Sequence, residues 1–459
     1  MEFPDNQIKF LQLRKSYPFF RYEDYSYFLK EKVLHIEFSF DYSGKYKFQP
    51  KISLPVRDFY LQERFTPEYL DNIVFNIGMI ELISYWKAGC APELIIESYD
   101  LSEEQIQWWR KIYYHGLGEF FYVNGIKTGI NDFIHFTTFK KAQPQPLHMK
   151  QDNSTIVPVG GGKDSIVSLE LLRRAGVSVS PLIMNPRGAT ISTITEAGYT
   201  MDETVTINRQ IHSQLIRLND EGFLNGHTPF SAMLAFYTVL AAILTGKRNI
   251  ALSNESSANE STIPGTDINH QYSKSLEFER DFRNYVTEYI SPDINYYSFL
   301  RPLNELQIAS VFSGFENYYG IFKSCNAGSK ENQWCGVCPK CLFTYIILSP
   351  FIEEHRLQSI WGKDLYSDPG LLEFFDQLTG SSDIKPFDCV GTIDEINGAL
   401  CETIRKRGAS PLPLLLEHYK TKDVYLKYKN IPLTILMSSL HEHFLSNESL
   451  KIIEEELFQ

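Results

Sequence analysis

Thr155-Ile156-Val157-Pro158-Val159-Gly160-Gly161-Gly162-Lys163-Asp164-Ser165 decides the fold class. A short apolar run that enters three glycines and then a helix-forming stretch, residues 165–174, predicts strand, tight turn and helix. Glycine lets a backbone approach an anion closely, and the free N–H groups and dipole of a helix start favour phosphate. Spacing excludes two phosphate loops. A Walker A loop needs glycine where Val157 stands, and Asp164 follows Lys163 where Ser or Thr is required. A dinucleotide fingerprint needs a third glycine where Ser165 sits.

Outward from this loop, strand-like and helix-like segments alternate. Residues 177–184, 203–207 and 248–252 read as further strands, which predicts an α/β, doubly wound parallel sheet with helices on both faces. Three regions are expected: an N-terminal α+β domain (1–150), the loop-bearing domain (151–345) and a helical C-terminal region (346–459). In the first, 33–40 and 46–54 alternate as antiparallel strands do, and 68–87 and 102–114 are helical. Ser102-Glu103-Glu104-Gln105 has capping-box spacing, and the polar run 143–154 reads as a linker. Acidic, amphipathic residues 450–457 close the chain, and no internal repeat is visible.

A 43% hydrophobic and 14% aromatic content is that of a globular chain of 459 residues. The net charge of −12 disfavours non-specific nucleic-acid binding. The first residues show no apolar run behind a basic flank, so no signal peptide is expected. Residues 230–246 are uncharged but short of the roughly 20 apolar residues of a membrane span, and read as a buried helix. A cytoplasmic protein without membrane insertion or nucleic-acid partner is expected; oligomeric state is not indicated.

Of seven cysteines, Cys325, Cys335, Cys338 and Cys341 are spaced C-x9-C-x2-C-x2-C. Four thiolates so close can complete a tetrahedron, the usual structural zinc arrangement, which stabilises and leaves no open position for catalysis. An iron–sulfur cluster or four redox thiols are the alternatives. Cys90, Cys389 and Cys401 read as small core residues. Between loop and cysteines, residues 253–260 (SNESSANE) follow a strand and therefore share the ligand-binding sheet edge. Glu255 is a candidate for magnesium or substrate there. Residues 269–275 (NHQYSKS) precede a helix, where Ser273 could be only a cap. His270 and Lys274 are the candidates in that stretch; Asn225-Gly226-His227-Thr228 is ambiguous between turn and site.

Gly161-Gly162-Lys163-Asp164-Ser165 resembles the PP-loop ATP-pyrophosphatases, with Gly160 where that family often has Ser. The resemblance implies a PP-loop/HUP-like core that grips the pyrophosphate of ATP while AMP passes to a substrate oxygen. Gly160, Gly161, Gly162, Lys163, Asp164 and Ser165 would form the ATP site, with Asp164 toward Mg2+ or loop geometry. Loop and cysteines alone would also suit the cyanodeazaguanine synthases. Further stretches are similar to the UDP-N-acetylmuramoyl-L-alanyl-L-glutamate epimerase (MurL) family. They are 83–88 (ISYWKA), 114–126 (YHGLGEFFYVNGI), 157–165, 225–227, 253–258, 269–275, 300–303 (LRPL), 334–341 (WCGVCPKC) and 385–391 (KPFDCVG). They cover about residues 80–391, and the tail beyond about 410 matches nothing.

The resemblance implies inversion of the terminal L-glutamate of UDP-MurNAc-L-Ala-L-Glu in peptidoglycan synthesis, with ATP, Mg2+ and a structural Zn2+. The glutamate nitrogen is an amide and cannot form a Schiff base, so adenylation of the α-carboxylate is the route to an acidic α-proton. His270, Lys274 and Glu255 are candidates to move that proton. Asn254, Asn269, Arg301 and Lys323 are candidate substrate contacts, with Lys163 beside them for carboxylate or phosphate. The alternatives are adenylation of a nucleobase or tRNA, and a non-catalytic ATP-sensing or zinc-stabilised binding protein.

Overall fold

The computed structural model describes residues 4–139, 144–263, 265–328, 331–382 and 384–457. Its strands are β1 Phe19–Lys30, β2 Val33–Tyr42, β3 Tyr46–Phe48, β4 Lys51–Pro55, β5 Glu93–Ile96, β6 His135–Thr138, β7 Asp152–Pro158, β8 Val179–Met184, β9 Val205–Gln210, β10 Lys247–Leu252 and β11 Asn295–Ser298. All join one mixed sheet in the order β11-β10-β7-β8-β9-β4-β2-β1-β5-β6, with β3 on β2. The five strands from β7 to β11 pair in parallel. In their own chain order they run third, second, first, fourth, fifth, so the order reverses between β7 and β10. In doubly wound sheets the crevice beyond that reversal is where ligands bind. The glycine loop leaves β7 there, and the 253–260 cluster leaves β10 beside it.

Strand geometry sends successive side chains to opposite faces, and both faces of this half are buried. Ile156, Leu182, Ile250 and Tyr296 belong to one core; their neighbours Val157, Ile183, Ala251 and Tyr297 belong to the other. The first core is closed by helices Pro67–Trp86 and Phe230–Thr245, which pack on each other. The second is closed by helices Lys163–Arg174, Glu305–Ser313 and Pro339–Leu348 and by the C-terminal helices, including Leu415, Leu416, Tyr419 and Ile453. Helix Phe230–Thr245 is the apolar run of the sequence, buried along nearly its whole length and ended by Gly246 at φ 72°. Among the described residues no helix is long and apolar enough to cross a membrane.

The expected strand 46–54 is broken into β3 and β4 at Gln49-Pro50, because Pro50 has no N–H for the ladder; its carbonyl still accepts from Phe38 N at 3.2 Å. Ser102 caps helix Glu103–Gly116 through the expected box, its hydroxyl accepting from Gln105 N at 3.2 Å. Of the expected linker, 144–151 lacks regular structure, 152 onward belongs to β7, and Gln143 lies outside the described residues.

The sheet runs on across residue 150. β4 pairs antiparallel with β9 through Lys51–Gln210, Ile52–Arg209 and Ser53–Asn208. At this seam the Arg209 guanidinium donates to Glu81 of helix Pro67–Trp86, Nε to Oε1 at 2.6 Å and Nη2 to Oε2 at 2.8 Å, and Tyr237 OH donates to the same carboxylate. Glu81 is fully buried, so these donors stand in for its lost hydration. Arg209→Ala is expected to lower stability by about 3–5 kcal/mol, the effect of stranding a buried carboxylate. The shift of the guanidinium-chloride unfolding midpoint checks this.

Candidate functional site

β7 delivers the chain directly into the loop. Val159 N donates to Leu182 O at 2.8 Å, the last bond to β8. Gly161 then adopts φ 82°, a conformation that costs other residues strain, and a Cβ there would lie 3.0 Å from that of Ala189. Gly162 is the N-cap of helix Lys163–Arg174. A Cβ on Gly160 would meet nothing within 4 Å, so that side of the loop is open. The amides of Gly160, Gly161 and Gly162 have no acceptor among the described residues. Unpaired N–H groups at a helix start form an anion site. Ser165 Oγ donates to Gly162 O at 3.0 Å and Lys323 N to Gly161 O at 2.8 Å, which hold the loop in shape.

Lys163 turns inward. Its buried ammonium donates to the carboxyl groups of Asp164 and Glu305, and although burial opposes charge these two partners raise its pKa. Burial pushes Glu305 up to about 8 against the pull of Lys163. Asp164 is held below the carboxylate range: burial would raise it, but Lys163, Lys340 and Lys274 outweigh that. Lys274 continues the network. Burial disfavours its charge, yet Cys389, Glu255 and Asp164 raise it above the usual lysine value. Glu255 is 3% exposed, and its Oε2 has no hydrogen-bond partner among the described residues.

Arg301 holds this arrangement together. It is 0% exposed and donates from Nε to Glu279 Oε2 at 3.1 Å, from Nη1 to Glu255 O and from Nη2 to Lys274 O. Arg301, an expected substrate contact, thus engages protein atoms. The other expected contacts also engage protein. Asn254 Nδ2 donates to Ser298 Oγ at 3.1 Å, Asn269 Nδ2 to Ala258 O at 2.8 Å, and Lys323 Nζ to Gly320 O at 3.0 Å.

At the far end of the network His270 Nδ1 meets Glu119 Oε2, and His227 Nδ1 lies 3.3 Å from the same oxygen. Burial would discharge His270, but hydrogen bonds with Cys389 and Glu119 raise it to about 10. Burial and the His270 charge lower His227 to about 4. Glu119, His227 and His270 put ligand atoms within 4.8 Å of one another, a spacing a cation could share. In this structure His270 pairs with Glu119. Cys389 is not a core residue but half-buried. Burial would raise its thiol; Lys274, the hydrogen bond with His270 and Lys340 bring it down to about 6.

The four clustered cysteines converge as their spacing predicts. All four sulfurs lie within 4.8 Å of one another, with Cys325–Cys338 at 3.8 Å and Cys335–Cys341 at 3.7 Å. A tetrahedron with Zn–S bonds of about 2.3 Å has edges of about 3.8 Å, so the thiolates fit zinc. Gly328 N and Gly336 N donate to Cys325 and Cys341 sulfurs at 3.2 and 3.3 Å. Cys338 is the N-cap of helix Pro339–Leu348 and Cys341 lies in its first turn, and from between them Lys340 Nζ reaches Cys389 O.

Residues 12–299 match the MurL N-terminal domain and residues 321–422 the MurL C-terminal domain. The chain belongs to the MurL family. Three relatives are each named UDP-N-acetyl-alpha-D-muramoyl-L-alanyl-L-glutamate epimerase. That of Xanthomonas oryzae pv. oryzae is 38% identical over 323 residues, 69% of this chain and 70% of the relative. Those of a Micromonospora species and Salinispora tropica are each 33% identical, over 78% and 71% of this chain and 81% and 72% of theirs.

Within this MurL chain the fold brings the glycine loop, Glu255, Lys274 and His270 into one network, which the cysteine cluster adjoins through Lys323 at Gly161 and through Lys340. Sequence reasoning missed Glu119, Glu305, Lys340 and the character of Cys389. Three of these lie inside stretches that carry the MurL resemblance, 114–126, 334–341 and 385–391, which pointed to the segments without naming the side chains. Purified protein is expected to carry about one equivalent of zinc, and Cys338→Ser to lose it and to unfold more readily. Metal analysis with thermal denaturation checks both.

Proposed function

We propose that this chain inverts the terminal L-glutamate of UDP-MurNAc-L-Ala-L-Glu to D-glutamate in peptidoglycan precursor synthesis, at the expense of ATP. The overall balance is L-epimer, ATP and water to D-epimer, AMP and pyrophosphate. The observation that carries the reading is the open glycine loop at the sheet's point of reversal, joined through Asp164 and Lys274 to groups that can handle a proton. Family membership and the names of the relatives supply the substrate.

The chemistry follows from charge. An α-carboxylate repels the electron pair left by removal of the α-proton. Attack of a carboxylate oxygen on the α-phosphorus of ATP forms the acyl adenylate and expels pyrophosphate. The acyl group is then neutral and its enolate accessible. Gly160, Gly161, Gly162 and Ser165 would receive the phosphates, with Lys163 keeping Asp164 and the helix start in place. Asp164 and Glu255 would hold Mg2+, which supplies charge neutralisation for the leaving pyrophosphate. His270, Lys274 and Glu255 surround the place where the α-proton is exchanged, and the Lys274 ammonium suits the developing enolate oxygen. Hydrolysis of the acyl adenylate releases the product.

Incubation with ATP, Mg2+ and the L-epimer in deuterated water is expected to yield AMP and D-glutamate carrying α-deuterium. Absence of both AMP and exchange would refute the reading. Gly161→Val, which cannot keep φ 82° without strain, is expected to cut AMP release by about 100-fold or more through misplaced phosphates. AMP release by the folded variant at the wild-type rate would remove the loop from the mechanism.

A further inference from the structure

Inversion needs a group that can accept the α-proton; with Glu255 assigned to Mg2+, the two other candidates are charged the wrong way. Lys274 faces Cys389, Glu255 and Asp164 and is held as an ammonium. His270 is paired with Glu119 and hydrogen-bonded to Cys389, and is held as an imidazolium. Neither can take up a proton at neutral pH. Both stand against the same sulfur.

We propose that Cys389 is the base that removes the α-proton of the activated glutamate on one face, and the acid that returns it in the reverse direction. Lys274 and His270 then act through it as positioning residues. This rests on the adenylation reading above. In the forward step the Cα–H bond breaks, the S–H bond forms, and the electron pair moves onto the acyl oxygen as the enolate. A second group protonates the opposite face, and the thiol returns its proton to solvent.

Four observations place the sulfur. Cys389 is half-buried, so a substrate can reach it while most of its surroundings are protein. Its segment is pinned on several sides: Lys340 Nζ donates to Cys389 O, Gln271 Nε2 to Val390 O at 3.1 Å and Lys385 Nζ to Gly391 O at 2.9 Å. Lys274 acts on both Cys389 and Asp164, and a Cβ on Gly391, two residues past Cys389, would lie 3.3 Å from Cγ of Glu305, which accepts from Lys163, so the segment of the sulfur adjoins the glycine loop. The unpartnered Oε2 of buried Glu255 faces the same ammonium, a polar group left for a ligand. The charged and titratable groups around the sulfur are Lys274, His270 and Lys340, with Asp388 accepting from Cys389 N at 2.9 Å. The three cations hold the thiol at about 6, near the value at which a base is both deprotonated at pH 7 and able to bind a proton.

The test uses the full-length enzyme with ATP, Mg2+ and each epimer of UDP-MurNAc-Ala-Glu in deuterated water. Cys389→Ala and Cys389→Ser are expected to release AMP still, to lose inversion by more than about 100-fold, and to exchange α-hydrogen from only one epimer, the one served by the opposite-face group. In wild type, iodoacetamide is expected to alkylate Cys389 with a midpoint near pH 6 and to abolish inversion. His270→Gln should shift that midpoint upward, which a merely structural histidine would not do. A Cys389 variant that inverts within about three-fold of wild type, or alkylated Cys389 with inversion intact, overturns the assignment while AMP release leaves the adenylation reading standing. No AMP from wild type overturns both.

Discussion

The ion pair of Arg301 with Glu279 is the interaction on which the site depends. A guanidinium with no solvent contact must be matched by a carboxylate and by acceptors for its remaining N–H groups, or its burial would cost several kcal/mol. Two of those acceptors are the main-chain carbonyls of Glu255 and Lys274. One cation thereby fixes the exits of two separate segments, the turn after β10 and the stretch before helix Leu276–Tyr285. Glu279 is on that helix and also accepts from Ser298 N at 2.8 Å, which ties in the end of β11. The side chains of Glu255 and Lys274 are consequently presented toward the glycine loop from a scaffold with little freedom.

Charges alternate along the line from the loop to the histidines. Lys163, Asp164, Lys274, Cys389, His270 and Glu119 form a succession of opposite signs in which each group stabilises the charge of the next. In a partly desolvated place such a chain is stable only when nearly complete, because each unpaired member would bear the full desolvation penalty. The proposed division of labour follows its length: phosphate transfer at the glycine end, proton transfer at the sulfur end, and Lys274 common to both.

Two peripheral parts have positioning duties. The cysteine cluster sets the start of helix Pro339–Leu348 and so directs Lys340 to the Cys389 carbonyl. The tail beyond residue 410 supports the start of helix Glu305–Ser313: Asn304 Nδ2 donates to Leu436 O at 2.7 Å and Gln307 Nε2 to Met437 O at 3.0 Å. That helix start holds Glu305 against Lys163. A segment without any motif thus bears on the charge network through backbone acceptors alone.

What was legible in the sequence is what depends on near neighbours. The glycine loop, the capping box at Ser102, the uncharged helix ended by Gly246 and the cysteine spacing each need only a few consecutive residues to state their physics. Strands β7 to β10 were legible because each carries a short apolar run where both faces are buried, such as Ile156-Val157 and Ile250-Ala251-Leu252. Four-residue β11 is too short for any period, and β1 mixes Arg21, Glu23 and Asp24 into its aromatic pattern. The strand order, the β4–β9 seam, the burial of Arg301 and the charge state of Cys389 were decided only in three dimensions. Arg301 and Cys389 show the reason. An exposed arginine binds anions and an apolar-pocket cysteine is inert, yet the same side chains become a buried strut and a thiolate once Glu279, Lys274 and His270 arrive from elsewhere in the chain. Charge and reactivity are set by partners within a few ångströms, and those partners are chosen by topology.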